Sequence, residues 1–275
     1  MKILDTHHHL WDLTLRDYEW MNNVNPILKR NYLIEDLNKI TSKNNISNSI
    51  CIQAHHSLDE TEWLLNIAEK SETILGVVGW VDLSSNILEE TLDNLQKNEK
   101  FIGVRHIWHD ELNEDWIIGR KIINGIKSLA QRGLKFDFLA RPNHLKYISD
   151  LYEKVPDLHG VIDHLAKPNI QDNLIDEWAI EINKLSKIPS LYCKISGLVT
   201  EMSANQDYSH VKPFTSEIIS SFGLEKIMFG SDWPVCLSVC GYKEVIKLAN
   251  EITFEFSMTE KQKFFFENGI NFYLN

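Results

Sequence analysis

Two histidines separated by one residue, His7 and His9, close the segment Asp5-Thr6-His7-His8-His9 at the end of a short apolar run. Side chains alternate along an extended chain, so His7 and His9 face one way and His8 the other. Two imidazoles aimed at one point bind a transition metal or polarise a carbonyl group. The same tripeptide also suits an exposed loop. Two further segments share the setting: Val161-Ile162 runs into Asp163-His164-Leu165-Ala166-Lys167-Pro168, and Met228-Phe229 into Gly230-Ser231-Asp232-Trp233-Pro234. His164 is either a catalytic group or a satisfied core histidine. Desolvation just beyond a buried strand would raise the pKa of Asp232 and suit it to general-base work, or a metal would claim it. The competing role for Asp232 is the N-cap of the following helix.

Holding these residues together requires strands, and eight short runs rich in β-branched residues are present: 3–7, 49–54, 74–81, 101–106, 134–139, 160–164, 191–195 and 227–229. Between them lie stretches with apolar positions three or four apart, such as Leu88, Leu92 and Leu95, or Ile122, Ile126 and Leu129. Ser57 with Glu60, and Thr259 with Gln262, have capping-box spacing; Pro213 suits a first helical turn, and Gly133 and Gly223 suit positions just past helix ends. Strands that are apolar in succession are buried on both faces, as in a parallel sheet covered by helices. The expected fold is therefore α/β: a single (β/α)₈ TIM barrel forming one domain over residues 1–275, with no linker dividing it. A doubly wound open sheet is the alternative, but no Gly-rich turn follows the first strand. Active sites of such barrels form at the C-terminal strand ends, where His7, His9, His164 and Asp232 all fall.

The net charge of −11 opposes binding to nucleic acid or an anionic membrane surface. The longest apolar stretch, Ile74 to Val81, is far short of the roughly 20 residues a bilayer span needs. With no signal-peptide core and four cysteines that lack zinc-ligand spacing, the expectation is a cytoplasmic protein with unpaired thiols.

Beyond these separate signals, the chain resembles the amidohydrolase superfamily, and within it the amidohydrolase 2 group of TIM-barrel lactonases, on the side of the L-fuconolactonases and L-rhamnonolactonases. The matching segments are 5–11, 60–65, 76–83, 103–106, 163–168, 193–201 and 228–236. The His-x-His and Gly-Ser-Asp-Trp-Pro elements mark the superfamily, and the blocks around Trp80, Lys194 and Trp233 narrow it to sugar lactonases. The resemblance implies that His7 and His9 are the strand-one pair, His164 the strand-six histidine and Asp232 the carboxylate that handles the water proton. It also implies one divalent metal, zinc first, on His7, His9 and Asp232. The fifth strand lacks the ligand that metal-dependent members often carry there; His106 is a substitute, and metal-independent lactonases are known.

Opening a lactone needs an activated water, a polarised carbonyl and a proton for the departing alkoxide. Asp232 is expected to activate the water, and His164 to donate the proton or hold the carbonyl. Arg105 would add positive potential. Lys194 and Glu201 would bind substrate hydroxyls or else form a buried ion pair. Trp11, Trp108 and Trp233 follow strand ends and would pack on sugar faces, while Trp63 and Trp178 lie on helical stripes. Only Arg105 and Arg141 follow strand ends among the arginines, which favours a neutral polyhydroxylated lactone over a dicarboxylate. The expected partner is thus a small-molecule lactone, with homo-oligomer formation left open. The alternatives are hydrolysis of a pyrone or muconolactone, a superfamily decarboxylase, and a non-catalytic sugar-binding barrel.

Overall fold

The structure is a computed structural model that describes residues 1–203 and 206–275. Eight parallel strands follow one another around one sheet: β1 (Leu4–His8), β2 (Asn48–Ile52), β3 (Ile74–Gly79), β4 (Phe101–His106), β5 (Lys135–Phe138), β6 (Gly160–Ile162), β7 (Leu191–Ile195) and β8 (Ile227–Phe229). Register runs from pair to pair, as in Val104 with Phe136 and Lys194 with Met228. The seam between β8 and β1 is closed beyond the strands. Asp232 N donates to His7 O at 2.8 Å, and His9 N to Trp233 O at 2.7 Å. This is the (β/α)₈ barrel that the alternation of runs implies.

Helices α1 (Ile34–Asn44), α2 (Leu58–Glu69), α3 (Leu88–Leu95), α4 (Arg120–Gln131), α5 (Leu145–Lys154), α6 (Asp176–Leu185), α7 (Tyr208–Phe222) and α8 (Tyr242–Ile252) each follow one strand. Their apolar stripes cover the sheet: Leu88, Leu92 and Leu95 of α3, and Ile122, Ile126 and Leu129 of α4, are all buried. Gly133 and Gly223 take the positive φ expected of them. Three local expectations are corrected. Ser57 caps α2 by accepting from Glu60 N, but the Glu60 carboxylate turns away to Ala54 N, His55 N and the Tyr18 hydroxyl, so the box is one-sided. The capping box of α9 (Met258–Gln262) is formed by Ser257 and Glu260, two residues before Thr259 and Gln262. Pro213 lies inside α7, beyond its first turn.

After a π turn at Lys263–Glu267, α10 (Asn268–Leu274) covers the end at which the strands begin. Asn268 Nδ2 donates to Leu224 O and Ile227 O, and Phe272 and Tyr273 pack with Leu4, Ile50, Ile52, Val78, Val161 and Met228. One barrel end is thereby filled with apolar side chains. The opposite end holds the polar ones.

Candidate active site

Three histidines converge on one carboxylate. Asp232 Oδ1 lies 3.4 Å from His9 Nε2 and 3.8 Å from both His7 Nε2 and His164 Nε2. All four residues are buried. His7 lies in a register shift between Asp5 and His8, and His9 lies just past the end of β1, while His8, on the other side, is buried and held to a pKa of about 3 by desolvation and the neighbouring His9. Asp232 sits in a left-handed conformation with φ 57°, in a loop held by Asp5. The Asp5 carboxylate accepts from Ser231 N, Ser231 Oγ and the Tyr242 hydroxyl. The helical turn that follows, Val235–Ser238, has no side-chain cap, so the Asp232 carboxylate is directed at the histidines and not at a helix start.

His164 is presented by an unusual turn. His164, Leu165, Ala166 and Lys167 all have positive φ, between 50° and 59°, which ends β6 at Ile162 and not at His164 as expected. Left-handed backbone costs a non-glycine residue roughly 1–2 kcal/mol, so the turn must be fastened. Trp178 Nε1 on α6 donates to Leu165 O at 2.8 Å, Lys167 N donates to His164 O at 2.8 Å, and Ser196 Oγ meets His164 Nδ1 at 2.8 Å. Gly197, at φ 62°, leaves room for the ring; a Cβ there would lie 2.5 Å from His164 Nδ1.

Below the histidines lies a charged layer inside the barrel. Lys194 Nζ is 2.5 Å from Asp137 Oδ2, 3.1 Å from Asp163 Oδ1 and 3.2 Å from His7 Nδ1. Arg105 Nη1 reaches Asp163 Oδ2 at 3.4 Å and His7 Nε2 at 3.3 Å, while its Nη2 donates to Gln53 O and Gln53 Oε1. The Tyr273 hydroxyl donates to Asp137 from α10. Burial works to raise the Asp163 carboxyl, yet the charges of Lys194 and Arg105 outweigh it and hold Asp163 below the usual carboxylate range. Burial, aided by Lys194, holds His7 well below the usual imidazole range, and burial does the same to His164. Both rings are neutral at pH 7. Asp232 departs from the expectation of a raised pKa: burial acts upward, but His164 and His9 prevail and keep it low.

The tautomer of His9 decides what this cluster accepts. His9 Nδ1 lies 2.8 Å from Ile52 O, and a carbonyl can only accept, so Nδ1 carries the proton. In the neutral ring Nε2 then offers a lone pair to the Asp232 oxygen 3.4 Å away. With the ring neutral, two acceptors face each other, an arrangement that suits a cation between them. His7, His9 and Asp232 thus fit a divalent metal with an open position. The other candidate group, His7, Asp163 and His164, already has the cations of Lys194 and Arg105 against its carboxylate.

A family model described as Amidohydrolase matches residues 4–274. The chain belongs to the amidohydrolase family. This amidohydrolase is 31% identical to an L-fucono-1,5-lactonase of Burkholderia ambifaria, over 84% of this chain and 80% of that one. A second L-fucono-1,5-lactonase, from Burkholderia multivorans, is 31% identical over 89% of this chain and 86% of that one. The crystal structure of a Burkholderia multivorans amidohydrolase with bound zinc superposes with a TM-score of 0.94 at 28% identity, covering 99% of both chains. The chain is accordingly a hydrolase.

The amidohydrolase's histidine–aspartate cluster opens into a cavity of about 390 Å³. Its polar groups are His9, Arg105, His109, His164, Lys167 and Asp232; its apolar wall includes Trp20, Ile107 and Leu139. Several residues expected there lie elsewhere. Trp108 is buried, stacked on His144 with ring centroids 4.6 Å apart, and Trp233 is buried with its edge against Tyr32. Trp11 is likewise core. His106 stands in a column of rings between His56 and Trp116, with Nδ1 accepting from Trp80 Nε1 and Nε2 2.6 Å from Glu111. Lys194 is fully buried in its ion pairs, and Glu201 pairs with Lys167 at 2.7 Å.

The amidohydrolase's cavity also contains what the sequence reading missed. Trp20 comes from the connection between β1 and α1, its Nε1 donating to Ala54 O at 2.9 Å. A loop of that length rich in tryptophan and tyrosine was itself a signal, because long connections in compact domains tend to serve function. His109 and Lys167 had no such flag. Burial holds His109 to about 3, so it lines the cavity as a neutral ring.

Proposed function

We infer that the protein hydrolyses a neutral sugar lactone, of the L-fuconolactone or L-rhamnonolactone type, to its aldonic acid. The observation that carries the reading is the convergence of three imidazole Nε2 atoms on Asp232 Oδ1 at 3.4 to 3.8 Å on the cavity floor. The 31% identity to two L-fucono-1,5-lactonases supports it. A divalent ion on His7, His9 and Asp232, zinc by analogy with the related crystal structure, would supply Lewis acidity to the water and the lactone carbonyl.

The remaining work belongs to the chain. Asp232, ionised at neutral pH, takes the proton of the attacking water and returns it to the departing alkoxide. Because its pKa is low it is a weak base by itself, which is why the water must be made more acidic by its surroundings. His164, neutral and hydrogen-bonded at Nδ1 to Ser196, presents Nε2 to the carbonyl oxygen or the departing alkoxide; the Asp232 carboxylate 3.8 Å from Nε2 can only accept, which favours Nε2–H as the hydrogen-bond donor. Arg105 places positive potential beside His7 and the cavity. Trp20 offers an apolar wall to the ring face of the sugar. The arginine's two terminal nitrogens are engaged by Gln53, Asp163 and His7, which favours an uncharged substrate over a dicarboxylate.

A pH-indicator assay on five- and six-membered lactones of fuconate, rhamnonate, galactonate and arabinonate, with and without added Zn²⁺, tests the reading. Turnover of a deoxy-sugar lactone is expected. Absence of turnover on the whole panel in zinc-loaded protein would overturn it.

A further inference from the structure

Hydrolysis of a lactone turns a neutral ligand into an anion, and that anion forms beside the carboxylate of Asp232. Of the two cationic side chains on the cavity wall, Arg105 has both of its terminal nitrogens engaged by Gln53, Asp163 and His7. Lys167 is in a different condition. Among the described residues its ammonium, with three donors, meets one partner, Glu201 Oε1 at 2.7 Å, and both side chains keep solvent access at 18% and 19% exposure.

The backbone singles out the same residue. The left-handed turn that presents His164 continues to Lys167, at φ 50°, so that both side chains reach one cavity from one fastened segment. A right-handed continuation after His164 would carry Lys167 off in another direction. The charge of Lys167 also bears on Asp232, His164 and His109, in keeping with its place among them.

We propose that Lys167 is the carboxylate-binding residue of this cavity, exchanging Glu201 for the newly formed carboxylate of the acid product. Glu201 is then a built-in competitor. It neutralises Lys167 while the neutral ring is bound and takes it back as the acid leaves, so the strength of the Lys167–Glu201 pair sets product affinity. The inference rests on the lactonase reading for the identity of the acid, but its chemistry requires only a polyhydroxylated monocarboxylate.

Binding of L-fuconate to the purified enzyme, by calorimetry and as inhibition of lactone turnover, tests it in Lys167→Met, Lys167→Arg and Glu201→Gln. Lys167→Met is expected to weaken fuconate about tenfold or more, Lys167→Arg to retain much of the affinity, and Glu201→Gln to tighten fuconate severalfold. Opposite signs for the two partners are the signature. A merely structural pair would give the same sign, or no change, on breaking it from either side, and either result overturns the proposal, as does failure of the wild type to bind fuconate. If Lys167→Met does not fold, Glu201→Gln alone decides by its sign. Wild type that binds fuconate in this Lys167-dependent way yet opens no lactone would overturn the lactonase reading and leave this one standing. Lactone turnover with fuconate affinity indifferent to both substitutions would do the reverse.

Discussion

The Asp5 carboxylate on β1 grips Ser231, the residue before Asp232, at two points: Ser231 N donates to Oδ1 at 2.8 Å and Ser231 Oγ to Oδ2 at 2.5 Å. Ser231 Oγ also accepts from Trp233 N at 3.0 Å. The serine therefore fixes the left-handed position from which Asp232 meets the histidines. Ser231→Ala strands the Trp233 N–H in a buried place and leaves Asp5 Oδ2 with the Tyr242 hydroxyl alone, at a cost of about 1–3 kcal/mol. Its expected result is a lower melting temperature together with a fall in kcat at nearly unchanged KM. Unchanged kcat would show that the loop keeps its shape without the clasp.

Asp232→Asn is expected to reduce turnover about a hundredfold or more, the scale of removing a positioned general base, with little change in melting temperature. Asparagine suits a left-handed position at φ 57° and keeps the size of aspartate, but it cannot take a proton at neutral pH. Metal content measured in the same samples separates a lost base from a lost ligand. Near wild-type turnover at full metal content would exclude the base role and shift attention to Asp163.

For the metal, the expectation is partial occupancy after purification, loss of activity on chelation and recovery with Zn²⁺, since three ligands hold an ion less firmly than four. Zinc should also raise the melting temperature in proportion to its binding, and His9→Ala should abolish that rise. Full activity in chelated, metal-analysed protein would mean that the histidines serve only as donors.

Glu60 gives a stability effect separate from catalysis. Burial pushes its carboxyl up to about 7, against 4.5 when free. Between those values the folded chain holds a proton that the unfolded chain has released, so stability falls as pH rises from about 4.5 to about 7 and is level above; the full span is about 3 kcal/mol. In Glu60→Gln the amide oxygen can accept from Ala54 N and His55 N while the amide nitrogen donates to the Tyr18 oxygen. Denaturant unfolding across pH should show the wild type losing stability relative to this variant through that window. Parallel curves would refute the shift.

How far the sequence spoke depended on what kind of neighbour each residue has. The strands at Phe101–His106, Leu191–Ile195 and Ile227–Phe229 match their apolar runs residue for residue, because such runs are bounded by turn-forming or polar residues. His7, His9, His164 and Asp232 were legible because a barrel gathers all strand ends at one face. β6 was drawn too long, since a left-handed turn without glycine or asparagine leaves no mark in the residue types. A buried ion pair was one of the two roles expected of Lys194, but its partners were not legible: Arg105, Asp137, Asp163 and Lys194 meet inside the barrel, and mutual satisfaction of charges from three strands and the turn after β6 is a tertiary fact. The indoles were misassigned for a related reason. Position after a strand does not tell whether a tryptophan faces the cavity, like Trp20, or the core, like Trp108 and Trp233.

The barrel's closure runs through the proposed catalytic cluster: Asp5 and Ser231, 226 positions apart in sequence, are partners, and Asp232 is bonded to the backbone of His7. No fragment short of the eighth strand can therefore assemble this chemistry, and a nascent chain remains inert until its two ends have met. In the finished protein the same joint is where partial opening would part Asp232 from the imidazoles while every helix remained in place. Enzymatic activity should accordingly vanish at lower denaturant concentration than helical circular dichroism, making catalysis a sensor of how well the circle is shut.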